Sequence, residues 1–366
     1  MLKLAKTRVK GGKGVKPEKE KGVPSSDSPG SEIERRKLEH VDIVLNQKVE
    51  ARFKSTGFEE IDFEHCALPE LNFDEISIST DFLGKKLEAP LIVTGMTGGF
   101  GQAEEINRDI AAACDKEGIV FGLGSMRAIY EQPNLAKTYS VRKAAKKVFL
   151  CGNIGGIQLK KIPLEKLEKV LVEVGCNALC VHLNPIHEAV QKDGDLDWKG
   201  VLKSIGEAAR FLKMPVIAKE VGSGISAAVA KQLEAAGVKA IDVSGAGGTS
   251  WAGGVESFRG GRPEAQTFWD WGIPTALAVR DVTQTVRVPV IASGGIRNGL
   301  EVAKAIRMGA TLGGAAAPFL KAQAAGGEPA VRELIQKWKR EVRMACFGTG
   351  SKDLLALKRA RLYKSV

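Results

Sequence analysis

Eight short apolar segments recur along the chain, each followed by a polar or glycine-rich turn and then by an amphipathic helical pattern. The predicted strands cover 90–95, 118–123, 147–152, 178–183, 215–220, 240–245, 289–294 and 311–316. Most are continuous apolar runs, the pattern typical of parallel strands that are covered on both faces. Eight such units over roughly 230 residues match a (β/α)8 TIM barrel, so the sequence predicts a single α/β barrel.

The helical patterns lie between these strands, and several end at a glycine suited to a helix C-cap. They cover 101–118, 163–175, 197–213, 226–237 and 298–309. A doubly wound open sheet is the alternative architecture. It usually carries a GxGxxG fingerprint after its first strand, and that motif is missing here, so we expect no separate nicotinamide-binding domain.

The first 30 residues differ from the rest in composition. Residues 1–22 hold eight Lys or Arg against two Glu, in a chain whose net charge is +11. Such a polar segment cannot bury enough apolar surface to fold. We therefore expect a disordered basic tail over 1–30, a linker leading into a helix, and one barrel domain over 31–366.

The same tail raises the question of a nucleic-acid partner. It has no interleaved aromatic residues and no RNA-binding motif, so no specific nucleic-acid partner is expected. Non-specific binding of nucleic acid through the tail is the non-enzymatic alternative, and it would show a steep dependence on salt.

Cysteine usage and hydropathy indicate the compartment. The six cysteines form no CxxC pair, which fits a reducing cytosol and gives no zinc motif. No apolar stretch reaches the length of about 18 residues expected of a membrane span. The N-terminus also lacks the apolar region of a secretory signal, so we expect a soluble, cytoplasmic protein.

The segment after the seventh strand is the clearest local signal in the chain. Active sites of TIM barrels lie at the carboxyl ends of the strands, and a phosphate commonly binds after strands seven and eight. Residues 293–297 read SGGIR there. Glycines admit an anion to the backbone and Arg297 adds a bidentate donor, which predicts a phosphate site. A glycine-rich turn needed only for packing is the alternative.

Lys219 lies in an otherwise apolar predicted strand, where an ammonium group must find a partner or lose its charge. A cofactor with an electron-rich ring would be such a partner. The alternative is an ion pair with a core carboxylate such as Asp242.

Two of the four histidines lie in HLNPIHE, over 182–188. A transition-metal site from His182, His187 and Glu188 is one interpretation, but their shared reach is uncertain. A single carboxylate such as Glu188 is better matched to Mg²⁺ held together with substrate phosphates.

The motifs taken together resemble the type 2, FMN-dependent isopentenyl-diphosphate isomerases, over about residues 33–320. The segments that carry the resemblance are RRKLEH (35–40), GMTGG (95–99), GSMR (124–127), HLNPIHEAVQKDGD (182–195), KEVGSGIS (219–226), DVSGAGGTSW (242–251), FWDWGIPT (268–275) and SGGIRNG (293–299).

The resemblance implies the groups that surround FMN, hold the substrate diphosphate, bind Mg²⁺ and act in catalysis. The implied FMN contacts are Met96, Thr97, Gly98, Ser125, Asn153, Lys219, Ser244, Thr249, Gly294, Gly295, Ile296, Arg297, Ala316 and Ala317. The implied substrate contacts are Arg36, Lys37, Ser125, Arg127, His182, Asn184 and His187, with Glu188 as the Mg²⁺ ligand and His187 and Lys219 as catalytic residues. Arg36 and Lys37 could alternatively form a solvated helix face.

Two positions depart from the family pattern. His187 and Met126 stand where the family commonly has glutamine. The amide at the first position faces the reacting carbons in the family, so His187 places a titratable group there. It could preserve hydrogen bonding, take part in proton transfer or mark an altered activity.

The resemblance also implies the reaction and its requirements. Isopentenyl diphosphate would be isomerised to dimethylallyl diphosphate, with reduced FMN as acid and base and NADPH as the reductant of the flavin. A homo-oligomer, tetramer or octamer, is expected. The rival is an FMN-dependent oxidoreductase of the 2-hydroxy-acid oxidase type, which commonly uses a histidine base in a late loop, whereas no histidine follows His187.

Overall fold

The computed structural model describes residues 31–364. The predicted tail, residues 1–30, lies outside the described residues. The strands are β1 (Ile61–Phe63), β2 (Thr80–Phe82), β3 (Lys85–Leu87), β4 (Leu91–Val93), β5 (Val120–Gly122), β6 (Phe149–Gly155), β7 (Ala178–Leu183), β8 (Val216–Glu220), β9 (Ala240–Asp242), β10 (Val290–Ala292), β11 (Leu312–Ala315) and β12 (Leu362–Lys364).

Strands β4 to β11 form a closed parallel barrel, in which each strand pairs with the next and β11 pairs with β4. Each of the eight predicted strand segments overlaps one of these strands, which confirms the predicted TIM barrel. The doubly wound alternative is wrong, because pairing of the first and last barrel strands leaves no open sheet edge.

Thirteen α-helices occur in residues 31–364, and none is long and apolar enough to cross a membrane. They are α1 (Glu32–Asn46), α2 (Ala103–Glu117), α3 (Arg127–Glu131), α4 (Gly156–Leu159), α5 (Leu164–Val174), α6 (Pro185–Val190), α7 (Val201–Phe211), α8 (Ala227–Ala235), α9 (Glu256–Arg259), α10 (Thr275–Thr283), α11 (Gly299–Arg307), α12 (Ala317–Gly348) and α13 (Leu354–Leu357). The backbone of α12 leaves helical geometry at Gly326 and Gly327. Short 3₁₀ segments and one π-helical turn, Trp251–Val255, complete the connections.

The barrel interior is closed at the amino-terminal end of its strands. The antiparallel hairpin of β2 and β3 inserts Phe82 and Leu87 into the cluster formed by inward-facing strand residues. The ring of Phe82 meets that of Phe149 edge-on, with the centroids 5.6 Å apart. The barrel interior is therefore reached from the opposite end, where the carboxyl ends of the strands lie.

Helix α1 lies beside the carboxyl end of the barrel. Ser31 caps its start, and the Ser31 backbone donates to the Glu34 carboxylate in a capping box, which confirms a helix at the predicted place; the linker before it lies outside the described residues. Val41 and Val44 pack with Phe100, Val255 and Leu320, all of them on segments that follow barrel strands. This packing brings the polar face of α1 to the barrel mouth.

Candidate active site

One cavity of about 470 Å³ lies at the carboxyl end of the barrel, a size typical of small-molecule sites. Its walls come from the segments that follow the barrel strands and from α1. The predicted site residues that line it are Arg36, Lys37, Met96, Gly98, Ser125, Arg127, Asn153, His182, Asn184, His187, Glu188, Lys219, Ser244, Thr249, Gly294, Gly295, Ile296, Arg297, Ala316 and Ala317.

Thr97 is the predicted cofactor contact that the structure does not bring to the cavity wall. Its side chain is buried, and the hydroxyl donates to Asn107 Oδ1 at 2.5 Å, on helix α2. The backbone carbonyl of Thr97 accepts from Gly124 N. The side chain therefore joins the GMTGG turn to α2.

Met126 is likewise directed away from the cavity. It is fully buried in the core, and its backbone N–H donates to the carbonyl of Asn153 at 2.8 Å. A thioether suits such a packed position, where a glutamine amide would need hydrogen-bond partners.

The turn after β10, residues 293–297, forms part of the cavity wall and is called the cradle below. Gly294 and Gly295 have φ angles of +97° and +74°, which only glycine adopts without strain. A Cβ on Gly294 would lie 2.1 Å from the carbonyl oxygen of Gly245, so tight packing also requires glycine here. Arg297 reaches back to the Gly295 carbonyl at 2.8 Å, and α11 begins two residues later. The turn thus offers backbone N–H groups and a guanidinium to an anion.

Lys219 projects from β8 into the cavity wall and is buried. Its ammonium donates to the Glu220 carbonyl at 2.6 Å and to Ser244 Oγ at 3.3 Å, and lies 3.8 Å from Asp242 Oδ2. The alternative ion pair with Asp242 is therefore present, in addition to the cavity-lining position. Asp242 is itself held by Ser293 Oγ at 2.6 Å.

The ammonium of Lys37 is surrounded by protein acceptors. It donates to the carbonyls of Gly98 and Ser125, at 2.6 and 2.5 Å, and lies 3.0 Å from the Tyr139 hydroxyl. Burial, helped by the nearby charge of Arg36, lowers the pKa of Lys37 to about 7. These contacts use all three N–H donors, so Lys37 joins two cavity loops and has no donor left for a diphosphate.

Asn153 and His182 form a hydrogen-bonded pair whose orientation is fixed by a neighbouring carbonyl. The Asn153 amide donates to the Leu123 carbonyl at 3.1 Å, which leaves its oxygen as the acceptor for His182 Nδ1, 2.8 Å away. Burial, with the charge of Lys219 adding to it, lowers the pKa of His182 to about 3. His182 is therefore a neutral ring whose Nε2 carries a lone pair.

Two guanidinium groups, of Arg36 and Arg127, and the carboxylate of Glu188 line the cavity. Burial and the charge of Arg127 lower the pKa of Arg36, but a guanidinium stays charged at neutral pH. Arg127 pairs with Glu131 at 2.5 Å within α3. Glu188 accepts from the Asn184 amide and from the Asp195 backbone, both at 3.0 Å, which orients its carboxylate.

His187 takes part in a group that the sequence did not reveal. Its Nε2 lies 2.9 Å from Oε1 of Glu256, a fully buried carboxylate at the start of α9. The Nε2 atom of His40, on α1, lies 3.3 Å from the same oxygen. Because an ionised carboxylate only accepts hydrogen bonds, a bond from either ring to Glu256 requires that ring to carry its proton on Nε2.

The electrostatics of this group follow from burial and from its hydrogen bonds. Burial disfavours the ionised Glu256, but the bonds from His187 and His40 outweigh it and lower the pKa of Glu256. Burial lowers the pKa of His40 to about 4, although Glu256 opposes this shift. The Trp251 ring packs against both histidines, with centroids 5.4 and 5.7 Å away.

The transition-metal interpretation with His182 and Glu188 is not the grouping that the structure forms. Within residues 31–364, the three side chains whose ligand atoms lie within 4.8 Å of one another are His40, His187 and Glu256. His182 instead forms a hydrogen bond with Asn153 on the preceding strand, β6.

Several cavity-lining side chains were missed in the sequence: His40, Glu50, Gln158, Gln191, Trp251 and Lys321. His40 follows Arg36 by one helical turn, so the spacing in RRKLEH carried a signal for it. Glu256, buried behind the wall, had no signal, because it meets His187 only through tertiary packing.

Comparison with known proteins identifies relatives over most of the chain. Residues 159–364 match the family model of FMN-dependent dehydrogenases. The isopentenyl-diphosphate delta-isomerase of Vibrio campbellii is 46% identical over 334 residues, which cover 89% of this chain and 98% of the relative. The enzyme of the same name from Pyrococcus furiosus is 41% identical over 342 residues, covering 90% and 86%.

Solved structures with the same architecture are more distant in sequence. A lactate oxidase from Pediococcus acidilactici superposes with a TM-score of 0.66 at 16% identity, covering 91% of this chain and 94% of that one. A mandelate oxidase variant with an FMN adduct gives a TM-score of 0.63 at 16% identity, covering 88% and 95%. These likenesses show the barrel fold alone.

Proposed function

Because the chain belongs to the isopentenyl-diphosphate delta-isomerase family, it is an isomerase of isoprene biosynthesis, and we propose that it converts isopentenyl diphosphate to dimethylallyl diphosphate with reduced FMN and Mg²⁺. Its match to the FMN-dependent dehydrogenases makes it a flavoprotein. The observation that carries the proposal is one cavity that combines a phosphate cradle, a buried lysine, the guanidinium groups of Arg36 and Arg127, and the carboxylate of Glu188.

The described cavity fits FMN. The cradle of Gly294 and Gly295, with Arg297, supports a role in holding the FMN phosphate, since these residues line the cavity just before the start of α11 and offer backbone N–H groups and a guanidinium to an anion. Ser125, Asn153, Lys219 and Ser244 line the same cavity. Lys219 brings a positive charge, which would stabilise an electron-rich flavin ring.

The cavity also fits a diphosphate with Mg²⁺. Arg36 and Arg127 supply guanidinium groups, which suit phosphate oxygens. Glu188 supplies one oriented carboxylate, and Mg²⁺ is commonly held by one or two carboxylates together with substrate phosphates. His182, as a neutral ring, and Asn184 offer further hydrogen-bonding groups.

When bound, reduced FMN would supply the acid and base that add a proton to one carbon and remove one from its neighbour. The chain's own groups orient the substrate for this exchange. Arg36, Arg127 and Glu188 would hold the diphosphate end, while His187 and Trp251 line the same cavity. His187 stands at the position of the family's glutamine and is hydrogen-bonded to Glu256.

Further parts of the proposal rest on resemblance and composition. NADPH would reduce the flavin, and the protein would act as a homo-oligomer, a tetramer or octamer, in the cytoplasm. The six cysteines are all unpaired, which supports a reducing compartment. The partner is a small-molecule diphosphate, and no specific nucleic-acid partner is proposed.

The 2-hydroxy-acid oxidase type is the competing function. It shares the barrel and the phosphate cradle, and its known members appear among the structural neighbours. However, the chain has no histidine after His187 to act as the base in a late loop. This absence favours the isomerase.

The test is an anaerobic assay with FMN, Mg²⁺, dithionite and isopentenyl diphosphate, which follows dimethylallyl diphosphate. We expect product only with reduced flavin, and a loss of the response to Mg²⁺ in Glu188→Gln. Flavin-loaded protein that forms no product, but that reduces its flavin with a 2-hydroxy acid, would contradict the proposal and favour the oxidoreductase.

A further inference from the structure

The group of His40, His187 and Glu256 lies in the cavity wall and is separate from the carboxylate of Glu188. His40 and His187 line the cavity, with side chains 16% and 11% exposed, while Glu256 lies behind them with no exposed surface. The three come from distant parts of the chain: helix α1, helix α6 and helix α9. Nothing in the proposed isomerisation requires three such ligands to converge.

Two of the three distances between the ligand atoms are close to those of a tetrahedral zinc site. Zn²⁺ binds histidine nitrogen and carboxylate oxygen at about 2.0–2.1 Å, so two ligand atoms of a tetrahedral site lie about 3.3 Å apart. The two Nε2 atoms lie 2.9 and 3.3 Å from Glu256 Oε1. All three atoms lie within 4.8 Å of one another. A metal ion could therefore replace the two shared protons with only small side-chain movements.

The surrounding residues support such a role. Arg259 donates to the other carboxylate oxygen, Oε2, at 2.8 Å, and so orients Glu256 without using Oε1. The Gln191 side-chain nitrogen Nε2 lies 2.9 Å from His187 Nε2 and donates to Glu256 Oε1 at 3.2 Å, so it would have to turn away when an ion binds. The fourth position of a tetrahedral site would be filled by a ligand from the cavity, which His40 and His187 line.

We propose that His40, His187 and Glu256 form a binding site for a transition-metal ion of the zinc class, distinct from the Mg²⁺ site at Glu188. Two imidazoles and one carboxylate are a ligand set that selects zinc-like ions over Mg²⁺, which prefers oxygen alone. The site depends on His187, the residue that departs from the family's glutamine. The occupancy of this site in the cavity wall would then depend on the concentration of free transition-metal ion.

The test uses Co²⁺ as a spectroscopic probe on the FMN-loaded full chain, without substrate. We expect one equivalent of Co²⁺ to give the intense red-region absorption of four-coordinate cobalt, and Zn²⁺ to abolish it. His187→Gln and His40→Gln should each weaken Co²⁺ binding by at least about tenfold, since even indirect ligand partners carry effects of that size.

Two matched controls locate the ion. His65→Gln removes an exposed histidine outside the group, and Glu188→Gln removes the Mg²⁺ carboxylate; both should retain the Co²⁺ spectrum. No four-coordinate spectrum, an unchanged one in His187→Gln, or its loss in Glu188→Gln would each overturn the site. A sulfur-to-metal charge-transfer band would overturn it too, by showing that cysteines hold the ion.

Discussion

Asn153 decides which nitrogen of a neighbouring histidine carries a proton. Its amide group is fixed by the Leu123 carbonyl, so its oxygen must accept from His182 Nδ1. His182 therefore presents the lone pair of its Nε2 atom to the cavity, and not a positive charge. At this scale, hydrogen-bond partners that are distant in sequence set the chemistry of each side chain.

The buried histidines should make the protein sensitive to acid. In the folded state the pKa values of His182 and His40 fall from 6.5 to about 3 and about 4. The unfolded chain therefore binds more protons below pH 6.5, and stability is lost as pH falls through that range, by about 1.4 kcal/mol per pH unit and group.

Urea unfolding at pH 7 and pH 5 measures this loss. We expect His182→Asn to reduce the difference in unfolding free energy between the two pH values, whereas His65→Asn, at an exposed position, leaves it unchanged. An equal pH dependence in His182→Asn and the native chain would show that His182 is not held neutral by folding.

Arg36 and Arg35 are adjacent on α1 but face different surroundings. Arg36 lines the cavity, while the Arg35 side chain is 69% exposed and forms an ion pair with Glu39. Arg36→Ala should raise KM for isopentenyl diphosphate by about 10- to 100-fold, since a hydrogen bond to a charged group contributes about 1.5–3 kcal/mol.

Steady-state kinetics of the two variants tests this assignment. Arg35→Ala should keep a native KM, because its ion pair is exposed and weak. The affinity for FMN should be unchanged in both. Equal, small effects of the two substitutions would mean that this part of α1 is a solvated helix face.

At the scale of elements, the turn between β10 and α11 requires glycine for two reasons, its backbone conformation and its close packing. Gly294 has φ +97°, and it also lies against the backbone of Gly245, in the turn after β9. The two turns can approach so closely only without side chains. The close approach then exposes backbone N–H groups to the cavity.

Gly294→Ala should therefore weaken FMN binding and destabilise the protein together. Strain at this backbone conformation costs about 1–3 kcal/mol, and the contact of 2.1 Å with the Gly245 carbonyl adds to it. Flavin fluorescence titration and urea unfolding report the two effects. Gly101→Ala is the control, because its Cβ would meet no atom within 4 Å. Native FMN affinity in Gly294→Ala would contradict the cradle.

At the scale of the whole molecule, the barrel gathers residues from both halves of the chain into one cavity. Closure of the barrel by β11 and β4 places the turns at Gly294 and Gly98 in the wall of one cavity, and the packing of α1 adds Arg36 and His40. The hairpin of β2 and β3 closes the other end. The result is a site with a single open mouth.

Residues 1–30 lie outside the described residues, and the described fold allows a prediction about their deletion. The described fold begins at Ser31, the cap of α1. A chain lacking residues 1–30 should keep FMN affinity and isomerase activity within about twofold, because the cap and the cavity are retained. It should also lose any salt-sensitive retention on nucleic acid, a property of basic segments. Loss of isomerisation without loss of flavin would assign the tail a part in catalysis.

Hydrophobic periodicity by itself determined the barrel. Eight buried parallel strands leave eight apolar runs in the sequence, because both faces of each strand are covered. The rule that sites follow such strands then located SGGIR, Lys219 and the HLNPIHE segment near the cavity. These inferences need only local pattern and a known architecture.

Tertiary structure alone decided how individual side chains are used. It turned Thr97 towards Asn107, filled the donors of Lys37 with carbonyls, and placed Glu256 between His40 and His187. Local sequence carries no record of these partners, which lie 10 to 216 positions apart in the chain. Burial then sets the pKa values, since desolvation depends on every element packed around a group.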